Sequence, residues 1–168
     1  AKSSPAHHRY LYSELEKKML TYNENLKKGN NTVQVLHSIA ELCHKRSLVV
    51  IFSDFLDNPE QVDELFHALQ HLKHNKHEVI VFHVLQAKTE LDFELENRPY
   101  YLVDMETGEK MKVQPSEFKS NYQAMVSSYF EKVKMRMINN KIDYLQVDID
   151  KGYEQVLLGY LLKRQNLH

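Results

Sequence analysis

Several features that would define a specialised scaffold are scarce in this 168-residue sequence. The only cysteine is Cys43, so no internal disulfide can form and the chain fits a reducing compartment. Four glycines leave little room for a Gly-rich phosphate-binding loop. No apolar run approaches the ~20 residues of a membrane span, and no signal peptide is visible. These absences favour a cytoplasmic protein with a packed core.

The sequence also has no excess of charge of one sign. Twenty-two basic and 23 acidic residues give a net charge of −1, which argues against nucleic acid as the main partner. Hydrophobic residues make up 42% of the chain, an ordinary value for a globular protein. The length predicts a single domain over 1–168. The chain opens at Ala1 without a Met, and we expect it to be the C-terminal part of a longer protein.

The spacing of apolar residues predicts helices and strands. Steps of three and four residues predict a helical lead-in over about 6–27, followed by an α/β body over about 30–168. The continuous, β-branched run at 48–52 predicts a central parallel strand that is covered on both faces. Further strands are predicted over 78–84 and 144–147.

Two short apolar runs within 98–113 flank a turn signal and predict an inserted β-hairpin. Because strands otherwise alternate with helices, we expect parallel pairing, right-handed crossovers and helices on both faces of the sheet. The predicted fold is a doubly wound, mostly parallel, Rossmann-like α/β fold. Such sheets usually begin with a strand, whereas this chain begins with helices, so we expect the first strand of the sheet to lie upstream.

Two oxygen-bearing side chains are predicted to meet at one edge of this sheet. Asp54 ends the first predicted strand, and Thr32 opens the helix before that strand. Ligands of doubly wound sheets bind outside the carboxyl ends of the strands, and carboxylate and hydroxyl oxygens suit Mg²⁺ or Mn²⁺. Ser53 and Asn31 are candidate neighbours on the same edge. A plainer interpretation stays open, in which Asp54 is a turn residue and Thr32 a helix cap.

Other reactive residues have structural interpretations. His67, His71 and His74 are spaced along one helix face, as in some transition-metal sites, but they lie mostly outside the apolar stripe and are predicted to be solvated. His83 lies within a buried strand and is predicted to be a hydrogen-bonded structural histidine. Cys43 is predicted to be a packed thiol.

Four segments, in order, resemble the bacterial "domain of unknown function 58" family, whose members have a von Willebrand factor A-like domain. The segments are KRSLVVIFSD at 45–54, HEVIVFHV at 77–84, DMETGE at 104–109 and LLKR at 161–164. The resemblance covers nearly all of the chain. The sequences of the segments are most similar to those of members from Bacteroidetes.

The resemblance implies a metal-ion-dependent adhesion site, built from three loops that carry D-x-S-x-S, a Thr and an Asp. Thr32 matches the second loop and Asp54 the third, whereas D-x-S-x-S occurs nowhere in the chain. In the family that motif lies upstream, on the first strand. Two alternatives stay open: the given sequence begins after this motif, in which case the intact protein can bind Mg²⁺ or Mn²⁺, or this protein has lost the motif. In both cases we expect residues 1–168 alone to bind the metal weakly or not at all.

Three functions are compatible with these features. In the first, which we favour, the chain is a non-enzymatic protein–protein interaction module whose metal binds a partner's carboxylate, and the resemblance implies a MoxR-type AAA+ ATPase as a partner. In the second, Asp54 makes the chain a phosphoacceptor or a phosphohydrolase-like α/β enzyme. A phosphohydrolase of the D-x-D type would want Asp at position 56, where this chain has Leu56. In the third, the chain is a metal-free structural scaffold.

Overall fold

The computed structural model describes residues 4–20, 32–55, 62–103 and 108–165. Its helices are α1 (Pro5–Leu20), α2 (Thr32–Leu42), α3 (Val62–His74), α4 (Pro115–Asn139) and α5 (Glu154–Gln165). Its strands are β1 (Leu48–Ser53), β2 (Glu78–Leu85), β3 (Tyr100–Val103), β4 (Lys110–Val113) and β5 (Asp143–Asp148). A short π-helical turn covers Ala87–Leu91, and a 3₁₀ turn covers Ile149–Lys151.

Three strands form one parallel sheet in the order β1-β2-β5, with β2 in the centre. Strands β3 and β4 form a separate antiparallel pair, in which Tyr100 lies opposite Val113. The structure therefore confirms the predicted α/β fold and the inserted β-hairpin. The turn that joins the two hairpin strands includes residues 104–107, which lie outside the described residues.

Helices cover both faces of the sheet, and the alternation of side chains along β2 shows why. Val79 and Val81 point into the larger core cluster, which is completed by apolar residues of α2, α3 and α4. Ile80 and Phe82 point to the opposite face and pack with Tyr160 of α5. Because both of its faces are covered, β2 is apolar at nearly every position.

The prediction that residues 48–52 form the central strand is wrong for the described residues. Strand β1 lies at an edge of the sheet, and its burial alternates along the strand. Val49 faces the larger core cluster, whereas Leu48, Val50 and Phe52 are 47%, 44% and 70% exposed on the face that carries α5. Helix α5 packs over β2 and β5, so its cover does not extend to β1.

The predicted lead-in helix is present in its described part, whereas the prediction for Cys43 is wrong. Helix α1 covers Pro5–Leu20 and buries none of its residues, and the predicted continuation over 21–27 lies outside the described residues. Cys43 is exposed rather than packed, because α2 ends at Leu42 and the thiol no longer follows the buried face of that helix. Among the helices of the described stretches, none is long and apolar enough to cross a membrane.

Two helix-to-strand turns are built in the same way around a lysine in the left-handed conformation. Lys76 has φ 63° before β2, and Lys141 has φ 54° before β5. In each turn the N–H of the next residue, His77 or Ile142, donates to the helix carbonyl five positions earlier, at 3.1 and 3.0 Å. Both turns are therefore Schellman-type helix ends, in which glycine normally occupies the left-handed position.

These turns predict that Lys76→Gly and Lys141→Gly each stabilise the protein. A non-glycine residue in the left-handed region costs about 1–2 kcal/mol, and the greater freedom of glycine in the unfolded chain offsets about 0.5–1 kcal/mol of the gain. We expect each variant to raise the free energy of unfolding in urea by about 0.5–1 kcal/mol. Lys76→Ala and Lys141→Ala are the matched controls and should give no stabilisation. Glycine variants no more stable than these controls would contradict the assignment.

Candidate functional site

The predicted site residues lie at the ends of their elements, as expected. Asp54 directly follows β1 and is exposed, and Ser53, the last residue of β1, is half-buried. Thr32 is the first residue of α2 and is half-buried. Asn31 lies outside the described residues. The described part of the site is therefore Thr32 and the loop that begins at Ser53.

The backbone after Asp54 is held in an unusual conformation. Phe55 has φ 55°, which disfavours a non-glycine residue by about 1–2 kcal/mol. His83 Nε2 donates to the Asp54 carbonyl at 3.0 Å, and the Tyr129 hydroxyl donates to the Phe55 carbonyl at 2.9 Å. The Phe55 N–H donates to Ser53 Oγ at 3.1 Å. Three hydrogen bonds therefore fix residues 53–55, which we call the Asp54 loop, in a strained but well-supported geometry.

His83 is the centre of this support. Its side chain is 0% exposed. Because a carbonyl oxygen can only accept, Nε2 must carry the proton. In a neutral ring Nδ1 then accepts from the Tyr144 hydroxyl, 2.5 Å away. The rings of Phe55 and Phe130 contact the imidazole edge to face, with centroids 5.2 and 4.4 Å away. Both nitrogens are occupied, so the prediction of a hydrogen-bonded structural histidine is confirmed.

Burial favours the neutral forms of both His83 and Tyr144. Burial lowers the pKa of His83 below its ordinary value of 6.5, although the hydrogen bond to the Asp54 carbonyl and the charge of the Asp54 carboxylate oppose the shift. Burial also raises the pKa of Tyr144 above its ordinary value. A neutral imidazole and a protonated phenol are compatible with both hydrogen bonds.

Asp148 is a second carboxylate at this edge of the sheet, which the sequence reasoning missed. It ends β5 and accepts hydrogen bonds from the Ala87 and Asp150 N–H groups, with the Lys151 ammonium 3.5 Å away. Partial burial tends to raise its pKa, but these hydrogen bonds outweigh it and hold the pKa below its ordinary value. An Asp directly after an apolar strand is the same signal that identified Asp54. Asp148 fastens the turn after β2 to the end of β5.

The described part of the chain offers mainly oxygen ligands near Asp54. No group of three or more His, Cys, Asp and Glu side chains that could hold a metal ion occurs among the described residues. The nitrogens of His83 are already hydrogen-bonded, so they are not ligands in this arrangement. A cation beside Asp54 would therefore need hydroxyl, backbone or water oxygens, or groups outside the described residues. Such a ligand set favours a hard cation over a transition metal.

The burial of His83 predicts a pH dependence of stability. Because its pKa is lowered in the folded protein, the unfolded chain binds more protons in the window below pH 6.5. The stabilisation is fully present above pH 6.5 and is lost as the pH falls through the folded-state value. We expect the free energy of unfolding, measured in urea at several pH values, to decrease as the pH falls through this window.

His83→Gln separates this contribution from that of the other nine histidines. At pH 7 the variant should be less stable by about 1–3 kcal/mol, because buried partners lose their hydrogen bonds. Its stability should nevertheless depend less steeply on pH below 6.5 than that of the parent. Equal slopes for the two proteins would show that His83 titrates as an exposed histidine does.

Comparison with known proteins identifies the family. The family model described as "Protein of unknown function DUF58" matches residues 2–131, which is 130 of the 168 residues. No match was found among curated proteins or among solved structures. The match covers more than half of the chain and includes α1 to β4, the Asp54 loop and His83. The chain belongs to the DUF58 family of proteins of unknown function.

Proposed function

We propose that this protein is a non-enzymatic protein–protein interaction module that uses the Asp54 loop at the carboxyl edge of its parallel sheet. In the intact protein, Asp54 and Thr32 would contribute to a von Willebrand factor A-like, metal-ion-dependent adhesion site for Mg²⁺ or Mn²⁺. The metal would complete its coordination with a carboxylate of the partner. A hard cation with an open position binds such a group strongly and directionally.

The observation that carries the proposal is the pre-organisation of an exposed carboxylate. The backbone carbonyl of Asp54 accepts from the buried His83, and that of Phe55 accepts from the half-buried Tyr129. The Asp54 side chain itself is exposed. A strained backbone held in place by its surroundings is typical of functional positions. Because the loop is already ordered, little conformational entropy is lost when a cation or a partner binds.

The connection between α2 and β1 supports a role for Thr32 at the same edge. Only residues 43–47 separate the end of α2 from the start of β1. A helix that enters a strand through so short a turn usually packs against the sheet and runs opposite to that strand. This directs the start of α2 toward the carboxyl end of β1. Asn31 and Ser53 are the neighbouring candidates for ligands or for hydrogen bonds to ligands.

The chemistry of the loop favours binding over catalysis. A general acid–base role for Asp54 needs a group that exchanges protons in step with it or with substrate. The imidazole that contacts the Asp54 carbonyl, that of His83, has both nitrogens engaged and a lowered pKa. We propose that the module works in a cytoplasmic complex, and the family resemblance implies a MoxR-type AAA+ ATPase as its partner.

Affinity capture with the intact protein tests this proposal. We expect recovery of the ATPase in Mg²⁺ to fall at least about tenfold with EDTA and with Asp54→Asn, which keeps the size of the side chain but removes its charge; tenfold corresponds to about 1.4 kcal/mol. Glu64→Gln, an exposed carboxylate on α3, is the matched control and should bind like the parent.

The alternatives give different results. Recovery that is unchanged by both EDTA and Asp54→Asn would reject the metal-bridged contact and favour a metal-free scaffold. Covalent labelling of Asp54 by acetyl phosphate, detected by mass spectrometry, would instead favour the phosphoacceptor.

A further inference from the structure

A histidine pair joins α2 to α3 on the flank of the sheet. His37 lies on α2 and His71 on α3, and their Nδ1 atoms are 3.0 Å apart. The ring centroids are 5.2 Å apart and the rings are tilted by 45°. Both side chains are half-buried. At this distance the two nitrogens are hydrogen-bonded: one Nδ1 carries a proton and donates it, and the lone pair of the other Nδ1 accepts it.

We propose that His37 and His71 form a two-histidine site for a borderline transition-metal cation, with Zn²⁺ as the probe. Zinc–imidazole bonds are about 2.0–2.1 Å long, so two ligands that subtend 90–109° at the metal have nitrogens about 2.9–3.4 Å apart. The observed 3.0 Å lies within this range. When the metal binds, the proton of the donating Nδ1 leaves to solvent and the Nε2 atom of the same ring takes up a proton, so both rings stay neutral. The two Nδ1 lone pairs then turn toward a point beside the line between the nitrogens.

The helix backbones that carry the two rings are fixed. Leu36 and Ala40 of α2 and Ala68 and Leu72 of α3 are each at most 4% exposed and belong to the larger core cluster. The Asn75 side chain donates to the Ala40 carbonyl at 2.8 Å and closes the far end of the interface. Only ring rotations are therefore needed to bind a metal, which limits the entropy lost.

The ligand set selects the class of cation and limits the affinity. Imidazole suits Zn²⁺, Cu²⁺ and Ni²⁺ and is a poor ligand for Mg²⁺. Since no third His, Cys, Asp or Glu joins the pair among the described residues, water completes the coordination. Binding is therefore weaker than at a four-ligand structural zinc site. The half-buried position leaves a side open to solvent from which water or a partner's side chain can reach the metal.

Zinc titration of the intact protein, followed by calorimetry, tests the proposal. We expect one saturable site whose affinity falls at least about tenfold in His37→Gln and in His71→Gln. His67→Gln and His74→Gln are matched controls, because both histidines are exposed on α3. Neither control should change the affinity. Asp54→Asn should also leave it unchanged, which separates this site from the proposed Mg²⁺ or Mn²⁺ site.

NMR of the parent protein provides a readout that needs no variant. Zn²⁺ should shift the imidazole resonances of His37 and His71 and leave those of His67 and His74 in place. The proposal is overturned if the exposed histidines carry the shifts, if all four substitutions weaken binding equally, or if no saturable binding is seen.

Discussion

One buried imidazole connects all three strands of the sheet. His83 lies on the central strand β2, donates to the carbonyl of Asp54 directly after β1 and accepts from the hydroxyl of Tyr144 on β5. Each nitrogen has one partner, and burial favours the neutral ring, in which Nε2 donates and Nδ1 accepts. Because the ring is fully buried, an unmatched nitrogen would be costly, so the arrangement fixes both the tautomer and the position of the Asp54 loop.

The consequences of this contact reach the exposed edge of the sheet. Hydrogen bonds to charged or buried partners typically stabilise by about 1 kcal/mol or somewhat more each. The bonds from His83 and Tyr129 are therefore large enough to hold Phe55 in its left-handed conformation. The energy that holds the strained turn comes from the core, and the result is a fixed backbone position from which the exposed Asp54 side chain extends. A binding module gains affinity from such order because less freedom is lost when the partner arrives.

Local patterns predicted most of the fold. Apolar spacing located the helices, continuous β-branched runs located β1 and β2, and the turn signal within 98–113 located the hairpin. Strand order did not follow from the same signals. The run at 48–52 is as apolar as that of a central strand, yet β1 lies at an edge of the sheet that the described residues form. The position of a strand in a sheet depends on which other segments pair with it, and a local pattern does not contain that information.

The candidate site was likewise predictable only where a local pattern identifies its residues. An Asp after an apolar strand identified Asp54, and the same rule applies to Asp148. The conformation of Phe55 and its bond from Tyr129 depend on contact with α4, 74 residues away, which no local pattern reveals. The His37–His71 contact is likewise invisible in the spacing of histidines along α3, because its partner is 34 residues earlier on α2.

The tautomer of His83 tests the central constraint most directly. Nitrogen-15 NMR of the imidazole at pH 7 should show a neutral ring with the proton on Nε2 and an unprotonated Nδ1, with slow exchange of the Nε2 proton. A ring protonated on Nδ1, a charged imidazolium at pH 7, or a rapidly exchanging mixture of tautomers would contradict the account.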